Sequence, residues 1–388
     1  MSIRLRVSAL VLIVCLSGPA RGNSIVDELK NALAARDVNR VQLLEAALTS
    51  SKQPEDTLLA AGALLAENDL LREAAAIFAR CAEEYPSSFE AKYNLALAQI
   101  ELADFGNATK TLDSISPVAT PHTAAVDYLR AKVEAATGNP GQALKDFEKA
   151  NRADPANENY ALDLALLEIR SYAYVPAIAV LRPTLAAHPG SEELNLELAL
   201  SLALSGQRNA AVEVCHKLMK EHPELTLPHV IAAFSECVDA DYHACEAEAA
   251  AGLRLPNASP YLFYLQSEAL WNLGSSDRTL MLQNLDMAVT RMPECTACLL
   301  LRSRVREAVG NTNGALADAR SAITHDPQFA SAWYRSALLY RKLGYEKEAA
   351  DALIQYRALR DRERNEEQKS FERQFVGSAS ALAAIEEK

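Results

Sequence analysis

Apolar residues recur along this chain at spacings of three and four, the period of a helix that buries one face. Between Glu192 and Leu204 that face carries Leu194, Leu198, Ala199 and Leu202. Ser205-Gly206-Gln207 interrupts it; Ala211, Val214, Cys215 and Leu218 then resume it as far as His222-Pro223. A glycine supplies the left-handed residue that closes the first helix. A proline ends the second, because it restricts the residue before it and cannot donate to the helical ladder. The same order of helix, turn, helix and proline returns along the chain. Turn glycines stand at Gly138, Gly310 and Gly344, and terminal prolines at Pro86, Pro155, Pro189, Pro256, Pro293 and Pro327. No stretch has the two-residue alternation of β-branched residues that marks a strand, so the predicted fold class is all-α.

Small residues twelve apart add a longer period to this pattern. Gly62/Ala74, Ala96/Ala108, Ala131/Ala143, Ala165/Ala177, Ala199/Ala211 and Ala232/Ala244 open the series, and Ala269/Met281, Ser303/Ala315 and Ala337/Ala349 continue it. The second members lie 34, 35, 34, 34, 33, 37, 34 and 34 residues apart. A period of this kind over most of a chain marks an internal repeat. Two helices approach most closely where neither carries a large side chain, so a small residue on each side of the turn sets the crossing of the pair.

These residues resemble the tetratricopeptide repeat. The best match is Trp333-x3-Ala337-x2-Tyr340-x3-Gly344-x4-Ala349-x3-Leu353, with others at Ala131-x6-Gly138-x4-Ala143-x3-Phe147 and Ala74-x3-Phe78. The resemblance covers residues 55–356. It implies a right-handed superhelix, an α-solenoid of about nine to ten helical hairpins. Residues 21–54, with Leu29 and Val41 at the small positions, read as a degenerate N-terminal capping hairpin. Residues 357–388, densely charged and carrying Phe371 and Phe375, read as a C-terminal capping helix. Three departures cluster together. Met281 replaces a small residue, Glu248 takes a position that is usually apolar, and Leu255–Pro260 carries about three extra residues.

The resemblance also implies a binding groove lined by the first helix of each hairpin. Mapped here, the groove stripe runs Tyr93, Leu97, Ile100, Tyr128, Lys132, Leu162, Leu166, Ile169, Leu196 and Leu200, and becomes polar at Arg304, Tyr334 and Arg341. Tyr93, Tyr128, Leu162 and Leu166 are the expected anchors for a partner peptide or helix. The competing reading is that the stripe packs on neighbouring helices.

Composition narrows the partners. With 39 basic and 51 acidic residues the net charge is -12, a balance that repels phosphate backbones and anionic lipid. The expected partner is therefore a protein or peptide and not nucleic acid. Arg4 and Arg6 precede an apolar run from Val7 to Leu16, followed by Ser17-Gly18-Pro19-Ala20. That is the order of a secretory signal cleaved after Ala20, with an apolar run too short to span a bilayer. An exported protein, periplasmic or extracellular, is the expectation, with no stable membrane span once residues 1–20 are removed.

Seven cysteines are present, and Cys15 falls within the signal. Cys295-Thr-Ala-Cys298 opens a helix, where a pair in this spacing is either a redox dithiol or a structural disulfide. Cys237 and Cys245 flank the predicted turn Asp239-Ala240-Asp241 and come within bridging reach across it. His229, Cys237, His243 and Cys245 lack the paired spacings of structural zinc. Nucleophile elbows, phosphate loops and paired catalytic carboxylates beside a glycine-rich turn are missing from the sequence. The resulting expectation is a non-enzymatic scaffold of the cell envelope that needs no cofactor. A thiol-redox protein using the Cys295/Cys298 pair, or a structural spacer, stands as the alternative.

Overall fold

The computed structural model describes residues 24–115 and 123–363. The expected signal and most of the charged tail, with Phe371 and Phe375, lie outside these residues. Two compact units, Met1–Leu167 and Glu168–Lys388, divide the chain. The described residues form twenty α-helices, and no strand occurs among them.

In the first unit, α1 (Ser24–Ala34) and α2 (Val38–Ser50) make the first hairpin. It is followed by α3 (Glu55–Glu67) with α4 (Leu71–Glu84), α5 (Phe89–Glu101) with α6 (Phe105–Asp113), and α7 (Thr123–Ala136) with α8 (Pro140–Ala153). The boundary between the units falls within α9 (Glu158–Arg170). The second unit contains α10 (Tyr174–Ala187), α11 (Glu192–Leu204) with α12 (Arg208–Glu221), and α13 (Leu227–Val238) with α14 (Tyr242–Gly252). Then come α15 (Pro260–Asn272) with α16 (Arg278–Arg291), α17 (Thr296–Ala308) with α18 (Thr312–His325), and α19 (Ala330–Lys342) with α20 (Glu346–Glu363). The last helix runs continuously across position 357, so the charged run begins inside the final hairpin.

Within each unit the hairpins stack in sequence order, the arrangement of an α-solenoid. First helices also touch one another: α1, α3, α5 and α7 in succession in the first unit, and α11, α13, α15, α17 and α19 in the second. Each therefore contributes to one continuous face of its unit.

Every hairpin turn has one residue in the left-handed region. Glycine takes it at Gly138, Gly206, Gly274, Gly310 and Gly344, whereas Arg36, Asp69, Ala103, Tyr172 and Ala240 hold the same place with φ between 55° and 62°. An asparagine or aspartate then caps many of the second helices. Asp37, Asp104, Asp241, Asp277 and Asn311 each accept a backbone N–H from three residues further on, satisfying a donor the helix leaves open.

The small residues lie at the helix contacts, and the structure corrects their register in two hairpins. Ala74, Ala96, Ala108, Ala131, Ala143, Ala199, Ala211, Ala315 and Ala349 are all buried. In the α13–α14 hairpin the fully buried pair is Ala233 and Cys245, whereas Ala244 is only half-buried. With Cys245 in place, the step from Ala211 is the usual 34 residues. The buried apolar position four residues on is Ala249, so Glu248 does not replace a core residue. In the α15–α16 hairpin the matching residue on the first helix is Ser267. Its Oγ faces the Met281 carbonyl oxygen at 3.5 Å, as Ser303 Oγ does the Ala315 carbonyl at 2.8 Å. Cys245 to Ser267 is then the same 22-residue step as Ala211 to Ala233. The extra residues lie not in Leu255–Pro260 but in the turn between α15 and α16, where Ser275 and Ser276 lengthen the connection.

Candidate functional site

The groove residues expected in the first half of the chain are interior. Tyr93, Leu97, Ile100, Tyr128, Lys132, Leu162, Leu166, Ile169, Leu196 and Leu200 are all buried. In the first unit they enclose a polar cluster. Tyr128 donates from its hydroxyl to Asp163 Oδ2 at 2.6 Å, and its ring packs against Phe147 and Tyr160. Lys132, 1 % exposed, lies 3.5 Å from Glu101 Oε1 with its ammonium over the Tyr128 ring. Burial pushes the Glu101 carboxyl above its ordinary range even though Lys132 pulls the other way. Tyr93 lies 5.6 Å from the Phe89 ring, and burial raises its phenol. These side chains satisfy one another and offer little surface to a partner. Their spacing in sequence does not separate this packing role from a docking role.

The open part of the stripe is in the second unit. Arg304, Tyr334 and Arg341 are exposed, and Leu338 beside Tyr334 is 40 % exposed. Two cavities adjoin here along the face made by the first helices. The larger, about 310 Å³, is bounded by Phe234, Tyr264, Glu268, Leu301 and Phe329. The smaller, about 140 Å³, is bounded by Tyr334, Arg335 and Leu338. Leu300, Arg304 and Ser331 line both. The Tyr264 hydroxyl donates to the Glu268 carboxylate one helical turn away. Burial raises both groups, while the Arg304 guanidinium draws them back down. The result is an apolar channel with one carboxylate and one exposed guanidinium at its centre. Below it, Arg335 anchors α19 to α17 through Ser303 and Glu307.

Tyr264 and Glu268 are missed when Ala269 is taken as the small residue of α15. Counted from Ser267 they occupy the same two positions as Tyr334 and Leu338 counted from Ala337, and the signal was present in the spacing.

The sequence profile described as tetratricopeptide repeat matches residues 64–133, which span α4, α5 and α6 and most of α7. Residues 64–133 are therefore tetratricopeptide repeat sequence, and the hairpins on either side continue the same helical fold. Among solved structures, the chain is similar to a tetratricopeptide repeat protein of Parabacteroides merdae, with 16 % identity and a TM-score of 0.51 over 66 % of this chain and 99 % of that one. A thermophilic tetratricopeptide repeat protein of Thermus thermophilus aligns over 47 % of this chain and 98 % of that one, with 16 % identity and a TM-score of 0.39. YrrB, described as having an unusual peptide-binding site, aligns over 46 % of this chain and 91 % of that one, with 17 % identity and a TM-score of 0.39. No curated protein sequence matches the chain. Tetratricopeptide repeats typically mediate protein–protein interactions and are generally non-enzymatic scaffolds.

Two disulfides depart from a plain tetratricopeptide array. Cys237–Cys245 ties α13 to α14 at the contact where most hairpins place alanine, and Cys295–Cys298 closes the start of α17. Cys295 is 5 % exposed and Cys298 fully buried. A thiolate must reach a sulfur to exchange with it, so this burial argues for a structural bond over a redox one. Cys81 and Cys215 are buried free thiols, raised above their ordinary range mainly by burial.

Proposed function

We propose that this protein is a non-enzymatic scaffold that docks an extended segment of a protein partner along the first-helix face of its second unit. The reading rests on the adjoining cavities that share Leu300, Arg304 and Ser331, with Tyr334 and Leu338 exposed at one end. Aromatic and arginine side chains beside apolar pockets supply most of the energy in such interfaces. Glu268 and Arg304 give the channel one group of each sign, which suits the carbonyls, amides and side chains of a peptide backbone. The same face in the first unit is filled by its own side chains, which favours the second unit as the docking surface.

Export to the periplasm or another oxidising envelope compartment is part of this reading. It rests on the residue order of positions 1–20 and on the two disulfides, which persist in such compartments. The decisive experiment places a photo-crosslinking residue at Ser331 in the native envelope and identifies the captured protein by mass spectrometry. Tyr334→Ala with Leu338→Ala should weaken capture of that protein at least tenfold with circular dichroism unchanged. Undiminished capture in the double variant would remove this surface as the docking site.

A further inference from the structure

One position recurs at the seam of each hairpin: three residues beyond the small residue on both of its helices. In two hairpins its occupants are a complementary polar pair. In the α5–α6 hairpin Thr111 donates to Gln99 Oε1 at 2.8 Å, and in α17–α18 Arg306 donates to Asp318 at 2.9 Å. In α7–α8 both occupants are acidic, Glu134 and Asp146, and Lys149 and Gln142 on the same helix meet Asp146. The α13–α14 hairpin also puts a carboxylate on each helix, Glu236 and Glu248.

The surroundings answer only one of them. Glu248 Oε1 lies 2.9 Å from His216 Nε2, and its Oε2 lies 3.1 Å from His229 Nδ1. Glu236 Oε2 is buried and has no hydrogen-bond partner. Burial, reinforced by the charge of Glu248, pushes the Glu236 carboxyl up to about 7. One ligand atom each from His216, Glu236 and Glu248 lies within 4.8 Å of the others, brought together by α12, α13 and α14.

We propose that His216 Nε2, Glu236 and Glu248 form a binding site for one divalent transition-metal ion of the zinc class, with His229 as the positioning residue for Glu248. Two carboxylates and a neutral imidazole balance the charge of such an ion, and it takes up the oxygen that Glu236 leaves unpaired. The imidazole nitrogen selects zinc-like ions over calcium and magnesium, which prefer all-oxygen sets. Zinc holds nitrogen and oxygen ligands at about 2.0–2.2 Å, so the three side chains draw inward on binding. His216 is half exposed and gives the ion an entry path, and water completes the coordination. His229 Nδ1 holds one oxygen of Glu248 and leaves the other for the ion. Gly252 makes room for it: a Cβ there would stand 2.8 Å from His229 Cβ. The neighbouring sulfurs are not ligands, because Cys237 and Cys245 are bonded to each other and Cys215 is a buried, neutral thiol.

The test uses the full chain without a polyhistidine tag, its disulfides intact and metal removed by a chelator. Titration with cobalt(II) should produce visible absorption bands that saturate at one ion per chain, and zinc(II) should displace them and raise the melting temperature. His216→Ala and Glu236→Gln should each weaken cobalt binding at least tenfold while circular dichroism shows both folded. His229→Gln should keep the bands with affinity reduced about 10–100-fold, the usual cost of losing an outer-shell partner. His222→Ala, a histidine outside the cluster, should bind as the parent does. No saturable cobalt spectrum, or unchanged affinity in both His216→Ala and Glu236→Gln, would overturn the proposal.

Discussion

Lys132 carries the largest conflict between sequence and surroundings at the scale of the single residue. A charged side chain with 1 % exposure persists only where a partner of opposite charge and further polar contacts replace water. Removing one member of such a pair strands the other, at a cost of about 3–5 kcal/mol. Lys132→Met should therefore lower unfolding free energy by that order, whereas Lys132→Met with Glu101→Gln should recover most of it. Urea titration of the parent, both single variants and the double checks this, and purely additive losses would contradict it. Glu268 makes the complementary case. Burial holds its carboxyl above the ordinary value of 4.5 against the pull of Tyr264 and Arg304. A carboxyl raised on folding contributes stability at pH below its unfolded value and loses that contribution as pH climbs through the folded one. Melting temperatures measured from pH 4 to 8 should then fall in the parent relative to Glu268→Gln, and the gap should widen with pH. A constant gap would show that Glu268 titrates as it does in the unfolded chain.

Turn chemistry and helix register decide the elements. Ten turns each need one left-handed residue, and five use a side chain that pays for the conformation. Ala103 and Ala240 have no polar group to offset this cost, so Ala103→Gly and Ala240→Gly should each stabilise the protein by about 1 kcal/mol. Gly206→Ala should lose a similar amount, and thermal melts of the three variants test the assignment. These turns also show how much was legible in the sequence. Gly138, Gly206, Gly310 and Gly344 announce their hairpins. Arg36, Ala103, Tyr172 and Ala240 do not, because nothing in those residue types signals a positive φ, and Asp69, of a type only enriched there, is a weak signal. The alanine spacing carried the helices through those gaps, and it failed by one residue at Ala244 and by two at Ala269. Both slips occur where cysteine and serine stand in for alanine at the contact.

At the scale of the whole molecule, Cys237–Cys245 joins the two helices of a hairpin that lies two helices before the lengthened turn following α15. Closing a loop of this length restricts the unfolded chain by about 2.5 kcal/mol in the chain-entropy account. Cys237→Ser with Cys245→Ser should lower the melting temperature accordingly. Cys295→Ser with Cys298→Ser should cost less, since its loop is shorter. Equal losses would place the effect in packing and not in the cross-link. The candidate docking face and the His216/Glu236/Glu248 cluster both belong to the unit that holds these disulfides.

The sequence by itself determined the helices, their pairing and the repeat family. Those follow from local rules: a 3.6-residue apolar period, small residues at helix contacts, and glycine or proline where a helix must stop. The family resemblance also placed part of the groove stripe, but it missed Tyr264, Glu268 and Leu338 of the open channel. Only the tertiary structure decided which of those positions are filled. Tyr128 and Lys132 stand at the same places in their repeat as Tyr334 and Leu338 in theirs. Asp163 and Glu101 partner the first pair in the interior, while the second pair is exposed, with the Tyr334 ring against that of Tyr356. His216, Glu236 and Glu248 likewise come together only because the 34-residue step stacks α12, α13 and α14. Burial and charge pairing depend on what the neighbouring repeats contribute, and a single repeat's pattern does not contain that information.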